Sequence, residues 1–191
     1  MGRLGVVLAA GDSTRLPNKC LLPMRSGFVL QSAVEFLRGQ CDEVYCVVKP
    51  GPVEVVVKRI YPSMRLVYQK TAQGVHHALH RVNRYNLVVA FSDCIYHPAE
   101  TVPDTCKAIA SIRPSVGNLD VWATDHWADR GTPGIPFLGW MFVPQIPNGD
   151  LDTVGLLNAL GASPYSVKLP CWDIGTPEAY ERYWNENDRR K

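Results

Sequence analysis

Leu8-Ala9-Ala10-Gly11-Asp12-Ser13-Thr14-Arg15-Leu16-Pro17-Asn18-Lys19 carries the chain from a short apolar run, through a turn of minimal side chains, to an arginine and a lysine. Gly5–Leu8 reads as a buried strand. Ala9-Ala10-Gly11 lets backbone N–H groups approach anionic oxygens more closely than larger residues would. Arg15 adds a planar fork and Lys19 a point charge, a pairing that suits the phosphates of a nucleoside triphosphate (NTP). Neither the spacing of a P-loop nor that of a three-glycine dinucleotide fingerprint is present. The same residues would also make an ordinary tight strand-to-helix turn with exposed basic groups, and the rest of the chain bears on that choice.

Outward from this turn, strand-like and helix-like segments alternate, the pattern of an α/β domain with a mainly parallel central sheet. Val29–Arg38 has helical periodicity, and Glu43–Val48 reads as a strand ended by Pro50-Gly51-Pro52. Val53–Ile60 is Val-rich like a strand, yet its position between two strands favours a crossover helix, because parallel neighbours need one. Arg65–Gln69 is the next expected strand and Gly74–Tyr85 the next helix. Leu87–Phe91 is apolar throughout and is expected at the centre of the sheet. Beyond it the spacing predicts a helix over Pro98–Ile112, strands over Leu119–Thr124 and Phe137–Val143, and a helix over Leu151–Leu160. A strand over Tyr165–Leu169 and a helix over Pro177–Glu186 complete the reading, followed by a charged tail. No repeat, low-complexity tract or linker divides the chain, so residues 1–191 are expected to form a single domain.

Two aspartates fall where this architecture places ligands, beyond the carboxyl ends of strands. Asp93 follows the apolar run Leu87–Phe91 directly, in Ser92-Asp93-Cys94. Asp173 follows another strand-like run, in Cys171-Trp172-Asp173-Ile174-Gly175-Thr176-Pro177-Glu178-Ala179-Tyr180. Helix-start chemistry explains Thr176 and Pro177 but leaves Asp173 unexplained, while Asp93 could serve as a turn cap. Together with Arg15 and Lys19 the two carboxylates form a candidate seat for Mg²⁺, which is held by one or two protein carboxylates plus phosphates and waters.

These strings resemble the signatures of the sugar-phosphate nucleotidyltransferases, the nucleotide-sugar pyrophosphorylases. Their first loop reads Leu-Ala-x-Gly-x-x-Thr-Arg-Leu followed by Lys-x-Leu-Leu-Pro, here Lys19-Cys20-Leu21-Leu22-Pro23, and their closing motif is similar to Asp173-Ile174-Gly175-Thr176-Pro177-Glu178. The resemblance implies a three-layer, Rossmann-like (GT-A-like) α/β domain with a mixed, mainly parallel sheet. It also implies a Mg²⁺-dependent transfer of a nucleoside monophosphate from an NTP to a sugar 1-phosphate, releasing pyrophosphate by direct in-line attack. It gives nucleotide-binding roles to Leu8, Ala9, Ala10, Gly11, Asp12, Ser13 and Thr14, and catalytic roles to Arg15 and Lys19. Asp93 and Asp173 become the joint metal ligands. Gln69-Lys70-Thr71-Ala72-Gln73-Gly74 is similar to the family's base-contacting element, which implies Gln69 and Gly74 at the base edge.

The chain departs from the family in three places. The spacer between Arg15 and Lys19 is short, Ser13 stands where many relatives have glycine, and no Glu-Lys-Pro element precedes Leu138–Val143. Arg130 and Lys168 are the nearest substitutes for the missing acceptor lysine by position. Cytidylyl transfer to a non-sugar phosphomonoester such as phosphocholine, or a non-catalytic nucleotide sensor, are therefore the alternatives. His76 and His80 share a helix face without a third ligand beside them, and Trp172, next to Asp173, is a candidate wall for the acceptor.

Composition sets the outer bounds. With 46% apolar and 20% charged residues and a formal net charge of +2, the 191-residue chain reads as an ordinary globular domain with no electrostatic case for nucleic-acid binding. No apolar run approaches the roughly 18 residues of a membrane span, and the N-terminus lacks a signal-peptide profile. The expected location is cytoplasmic, and an oligomer stays open. The six cysteines lack paired Cys-x-x-Cys spacing and read as reduced, mostly buried thiols.

Overall fold

The computed structural model describes residues 2–12, 14–70, 74–112, 138–167, 169 and 172–188. Ser13, the Leu119–Thr124 strand, Arg130 and Lys168 lie outside them.

Seven strands form one twisted sheet. In chain order they are β1 (Leu4–Leu8), β4 (Glu43–Val48), β5 (Arg65–Tyr68), β6 (Leu87–Phe91), β8 (Ile109–Ile112), β9 (Leu138–Val143) and β10 (Ser163–Ser166), in the spatial order β10-β8-β9-β6-β1-β4-β5. Only β9 runs against its neighbours, β6 and β8. The central strands β1, β4 and β6 are nearly continuous apolar runs because both of their faces are covered.

Helices α1 (Val29–Arg38) and α2 (Pro52–Ile60) cover one face, where Leu30, Val34, Leu37 and Val57 pack on Val7, Cys46, Val88 and Trp140. Helices α3 (Gly74–Val82) and α4 (Thr153–Ala159) cover the other, with Leu79, Leu156 and Leu157 against Val6, Val47, Val89 and Met141. The result is a three-layer α/β domain. Between β4 and β5 the Val-rich segment is indeed helical. Pro52 sits in its first turn and Gly51 precedes it at φ 148°, a start signal that outweighs β-branched composition.

The expected helix over Pro98–Ile112 is not formed. Pro98 to Ala108 is irregular, held by the Arg3 guanidinium, which donates to the carbonyls of Val102 at 3.1 Å and Pro103 at 2.6 Å. Ile109–Ile112 is strand β8. Its alanine and serine favour no strand by themselves, but burial decides: Ala110 and Ser111 are fully buried, and Trp140 N–H donates to Ser111 Oγ at 2.6 Å. The strand expected over Tyr165–Leu169 forms earlier, as β10, where it pairs in parallel with β8. Helix α3 ends three residues sooner than expected, since Asn83 turns left-handed at φ 49°.

Four two-residue strands lie outside the main sheet: β2 (Pro23–Met24) with β3 (Gly27–Phe28), and β7 (Cys94–Ile95) with β11 (Trp172–Asp173). After β11, helix α5 (Pro177–Asp188) packs Tyr183 on Val29, Ile95 and Ile174.

Candidate active site

Parallel β1, β4 and β6 end level with one another. Leu8 pairs with both Val47 and Phe91, Ala9 N–H donates to Val47 O at 2.8 Å, and Ser92 N–H donates to Leu8 O at 3.2 Å. A cleft of about 470 Å³ opens above these ends. Its walls include the turn Leu8–Asp12, Lys19, Lys49-Pro50-Gly51, Gln69, Gly74 and Asp93.

Lys19 enters the cleft on a single turn of 3₁₀ helix, Lys19–Leu21, that Asn18 starts in left-handed geometry at φ 51°. Its Nζ makes an ion pair with Asp93 Oδ2, both side chains being largely shielded from solvent. Asp93 stands in the turn after β6, as the sequence placed it. The antiparallel β7–β11 ladder sets Asp173 opposite Cys94, and Ile174 N–H donates to the Asp93 carbonyl at 2.8 Å. Two aspartates 80 positions apart thus become backbone neighbours through a ladder too short to show any periodicity.

Among the described residues no three His, Cys, Asp or Glu side chains converge as a metal site. Asp173 is not among the residues that line the cleft, so what the ladder brings together is its backbone and that of Asp93; two carboxylates completed by phosphates and water are the kind of set that holds magnesium. Beside Asp93, burial pushes the Cys20 thiol up to about 11, with the Asp93 charge contributing. Cys20 is therefore a protonated wall residue rather than a nucleophile at neutral pH.

Gln69 follows β5 and its N–H donates to Val48 O at 2.9 Å. The residue is 3% exposed, and its side-chain Nε2 has no hydrogen-bond partner. An unmade bond at a buried amide costs about 1–3 kcal/mol, and Gln69 is one of the residues lining the cleft, which makes it a candidate for pairing with a bound group. Gly74 starts α3 at φ 85°, strained for any residue with a Cβ. Gly11 has open space where a Cβ would stand, which leaves the turn accessible to a ligand.

Thr14 and Arg15 are exposed and do not line the cleft. Trp172 is turned away from it: its ring meets Tyr183 edge-on at 5.4 Å, and its Nε1–H donates to Glu186 Oε2 at 3.1 Å. Consecutive strand residues face opposite sides, so a tryptophan beside Asp173 packs against α5. His76 Nδ1 accepts from Leu151 N–H at 3.3 Å, which leaves the proton on Nε2 to donate to Pro147 O at 2.9 Å. His80 Nε2 lies 3.2 Å from the same carbonyl, so the two histidines tether α3 to the loop before α4. Lys49 was not anticipated from the sequence. It immediately follows β4, and that position beyond a parallel strand is the signal that could have found it.

The sequence pattern of the MobA-like NTP transferase domain matches residues 5–162, most of the chain. The protein belongs to that family. Among curated proteins, none matches the sequence. Solved structures share the fold at low identity. The nucleoside-diphosphate-sugar pyrophosphorylase from Vibrio cholerae is 12% identical, over 95% of this chain and 99% of that one, with a TM-score of 0.70. The CTP:phosphocholine cytidylyltransferase from Streptococcus pneumoniae is 15% identical over 97% and 99%, TM-score 0.68. A UDP-glucose pyrophosphorylase crystallised with UDP-glucose is 17% identical over the whole of both chains, TM-score 0.67. The domain is thus a GT-A-like α/β nucleotidyltransferase. No described helix is long and apolar enough to cross a membrane.

Proposed function

We propose that this MobA-like transferase moves a nucleoside monophosphate from an NTP to a sugar 1-phosphate, releasing pyrophosphate. The observation that carries the reading is the Lys19–Asp93 ion pair at the floor of the cleft, with Asp173 laddered beside Asp93.

In this reading the backbone of the Ala9–Ser13 turn faces the phosphates and Gln69 donates its buried amide N–H to an acceptor on the base. Lys19 neutralises the transferring phosphoryl group, and Arg15 swings in from its exposed position to hold the leaving pyrophosphate. An acceptor phosphate is already ionised near neutral pH, so it attacks the α-phosphorus in line without a strong general base. The P–O bond to the β-phosphate breaks and pyrophosphate departs. Asp93 and Asp173 would hold Mg²⁺, which when bound supplies charge neutralisation at the phosphate oxygens. No protein group becomes covalently modified.

The acceptor is the open element. The short Arg15-to-Lys19 spacer favours a second reading, cytidylyl transfer to phosphocholine or a similar phosphomonoester, while the missing Glu-Lys-Pro element is the motive for a nucleotide sensor. Pyrophosphate release in the presence of Mg²⁺, with each of CTP, UTP, dTTP, ATP and GTP against sugar 1-phosphates and phosphocholine, tests these readings. Release from one pair, lost in Asp93→Asn, supports the transferase and names base and acceptor together. NTP binding without release from any pair would instead favour a nucleotide sensor.

A further inference from the structure

Lys49 is a cation of the cleft to which the reading above gives no task. Its strand end is fixed level with the turn by the Ala9 N–H bond to Val47 O, and its Nζ forms an ion pair with Asp12 Oδ1. Asp12 is an awkward residue in that place. A carboxylate in a turn whose backbone faces phosphates repels the ligand the turn would take. Of the described side chains lining the cleft, the cations are Lys19 and Lys49, and each is held by one carboxylate, Asp93 or Asp12.

The Lys49–Asp12 pair is weakly held. Its side chains are 39% and 57% exposed, and an ion pair in that setting contributes little to stability. A polyphosphate presents several anionic oxygens close together, a stronger attractor for an ammonium than one solvated carboxylate. Lys49 could therefore act in two ways. It could only cancel the charge of Asp12, or it could leave Asp12 and bind the nucleotide itself.

Resting on the nucleotide reading above, we propose the second: Lys49 is a nucleotide-binding residue, drawn by the phosphate chain from Asp12, which holds it at the turn until then. The neighbourhood suits such a move. Lys49 has a flexible stem, while Pro50 and Pro52 restrict the backbone behind it and the ladder with β1 holds the strand end.

The two roles separate in a double-mutant cycle. CTP, UTP, dTTP, ATP and GTP are titrated calorimetrically with Mg²⁺ into the wild-type protein. The tightest is then titrated into Lys49→Ala, Asp12→Asn and the double variant, with circular dichroism confirming that each is folded. Lys49→Ala is expected to weaken binding about tenfold or more, the loss of one charge-assisted contact. Asp12→Asn is expected to tighten it about two- to fivefold by removing the competing partner. The double variant is expected to recover only the part of the loss that comes from the uncancelled Asp12 charge and to stay well below wild-type affinity. Binding by Lys49→Ala at the wild-type level overturns the proposal, and so does restoration of wild-type affinity when Asp12→Asn is added to it, which would make Lys49 a neutraliser only. Absence of binding of all five nucleotides to the wild-type protein overturns the nucleotide reading itself.

Discussion

Gln69 and Lys19 are under opposite demands. The unpartnered Gln69 amide lowers stability in the protein alone, so Gln69→Leu is expected to raise the melting temperature while weakening NTP binding. At about 2–4 °C per kcal/mol for a chain of this size, a melt with and without NTP resolves both effects. A lower melting temperature for the variant would show that Gln69 serves packing. Lys19→Ala removes a partly buried charge to which the proposed mechanism gives the transferring group. Pyrophosphate release is expected to fall about 10²- to 10³-fold, the scale seen when a transition-state donor is deleted, with the circular dichroism spectrum retained. Turnover near the wild-type rate would move the phosphoryl contact elsewhere.

Individual elements show what a sequence can and cannot disclose. β1, α1, β4 and β6 were legible because long apolar runs and a strong helical period leave one choice, and Asp93 was legible with them because it adjoins β6. β8 was not. Its two isoleucines flank an alanine and a serine that favour no strand, too short a signal to outweigh the helix expected over Pro98–Ile112, and pairing with β9 and β10 makes it a strand. β7 and β11 are shorter than any period, so the sequence put Asp93 and Asp173 at strand ends and left the ladder that brings them together unseen. Lys49 was missed because a lone lysine after a strand looks like any solvated charge. Local chemistry can still be tested element by element. Asp152 Oδ1 accepts from Gly155 N–H at 2.6 Å and caps α4, whose Leu156 and Leu157 are in the core. Asp152→Ala is expected to cost about 1 kcal/mol, measured as a shift in the urea midpoint with an unchanged slope. No shift would mean that packing alone sets the start of α4.

On the scale of the whole molecule, buried and partly buried thiols are expected to lower stability at alkaline pH. Burial raises the Cys20 thiol from its ordinary 9.0 to about 11 and Cys41 to about 12, and pushes Cys46 higher still. Below about pH 8 these thiols are protonated in both folded and unfolded chains. Between pH 9 and 11 the unfolded chain loses their protons while the native one keeps them, so stability falls as pH rises. Thermal melts at pH 8, 9, 10 and 11 are expected to show a steepening decline, whereas a flat profile would put these cysteines near solvent. Thiol reagents at pH 8 are expected to label the exposed Cys106 in the folded protein and to reach Cys20 and Cys46 only after unfolding.

On the proposed mechanism, the β7–β11 ladder also bears on when the protein can begin to work. Every strand of the seven-stranded sheet is complete by Ser166, but the second carboxylate arrives only with Asp173, and α5 then braces the Lys19 loop through the Tyr180 hydroxyl, which donates to the Pro23 carbonyl at 2.7 Å. With Asp93 and Asp173 acting together as proposed, a nascent chain would fold before it could catalyse, remaining inert until the β11–α5 segment has docked. Supplying that segment as a separate peptide to a chain ended after Leu169 would make the onset of chemistry an event that can be timed.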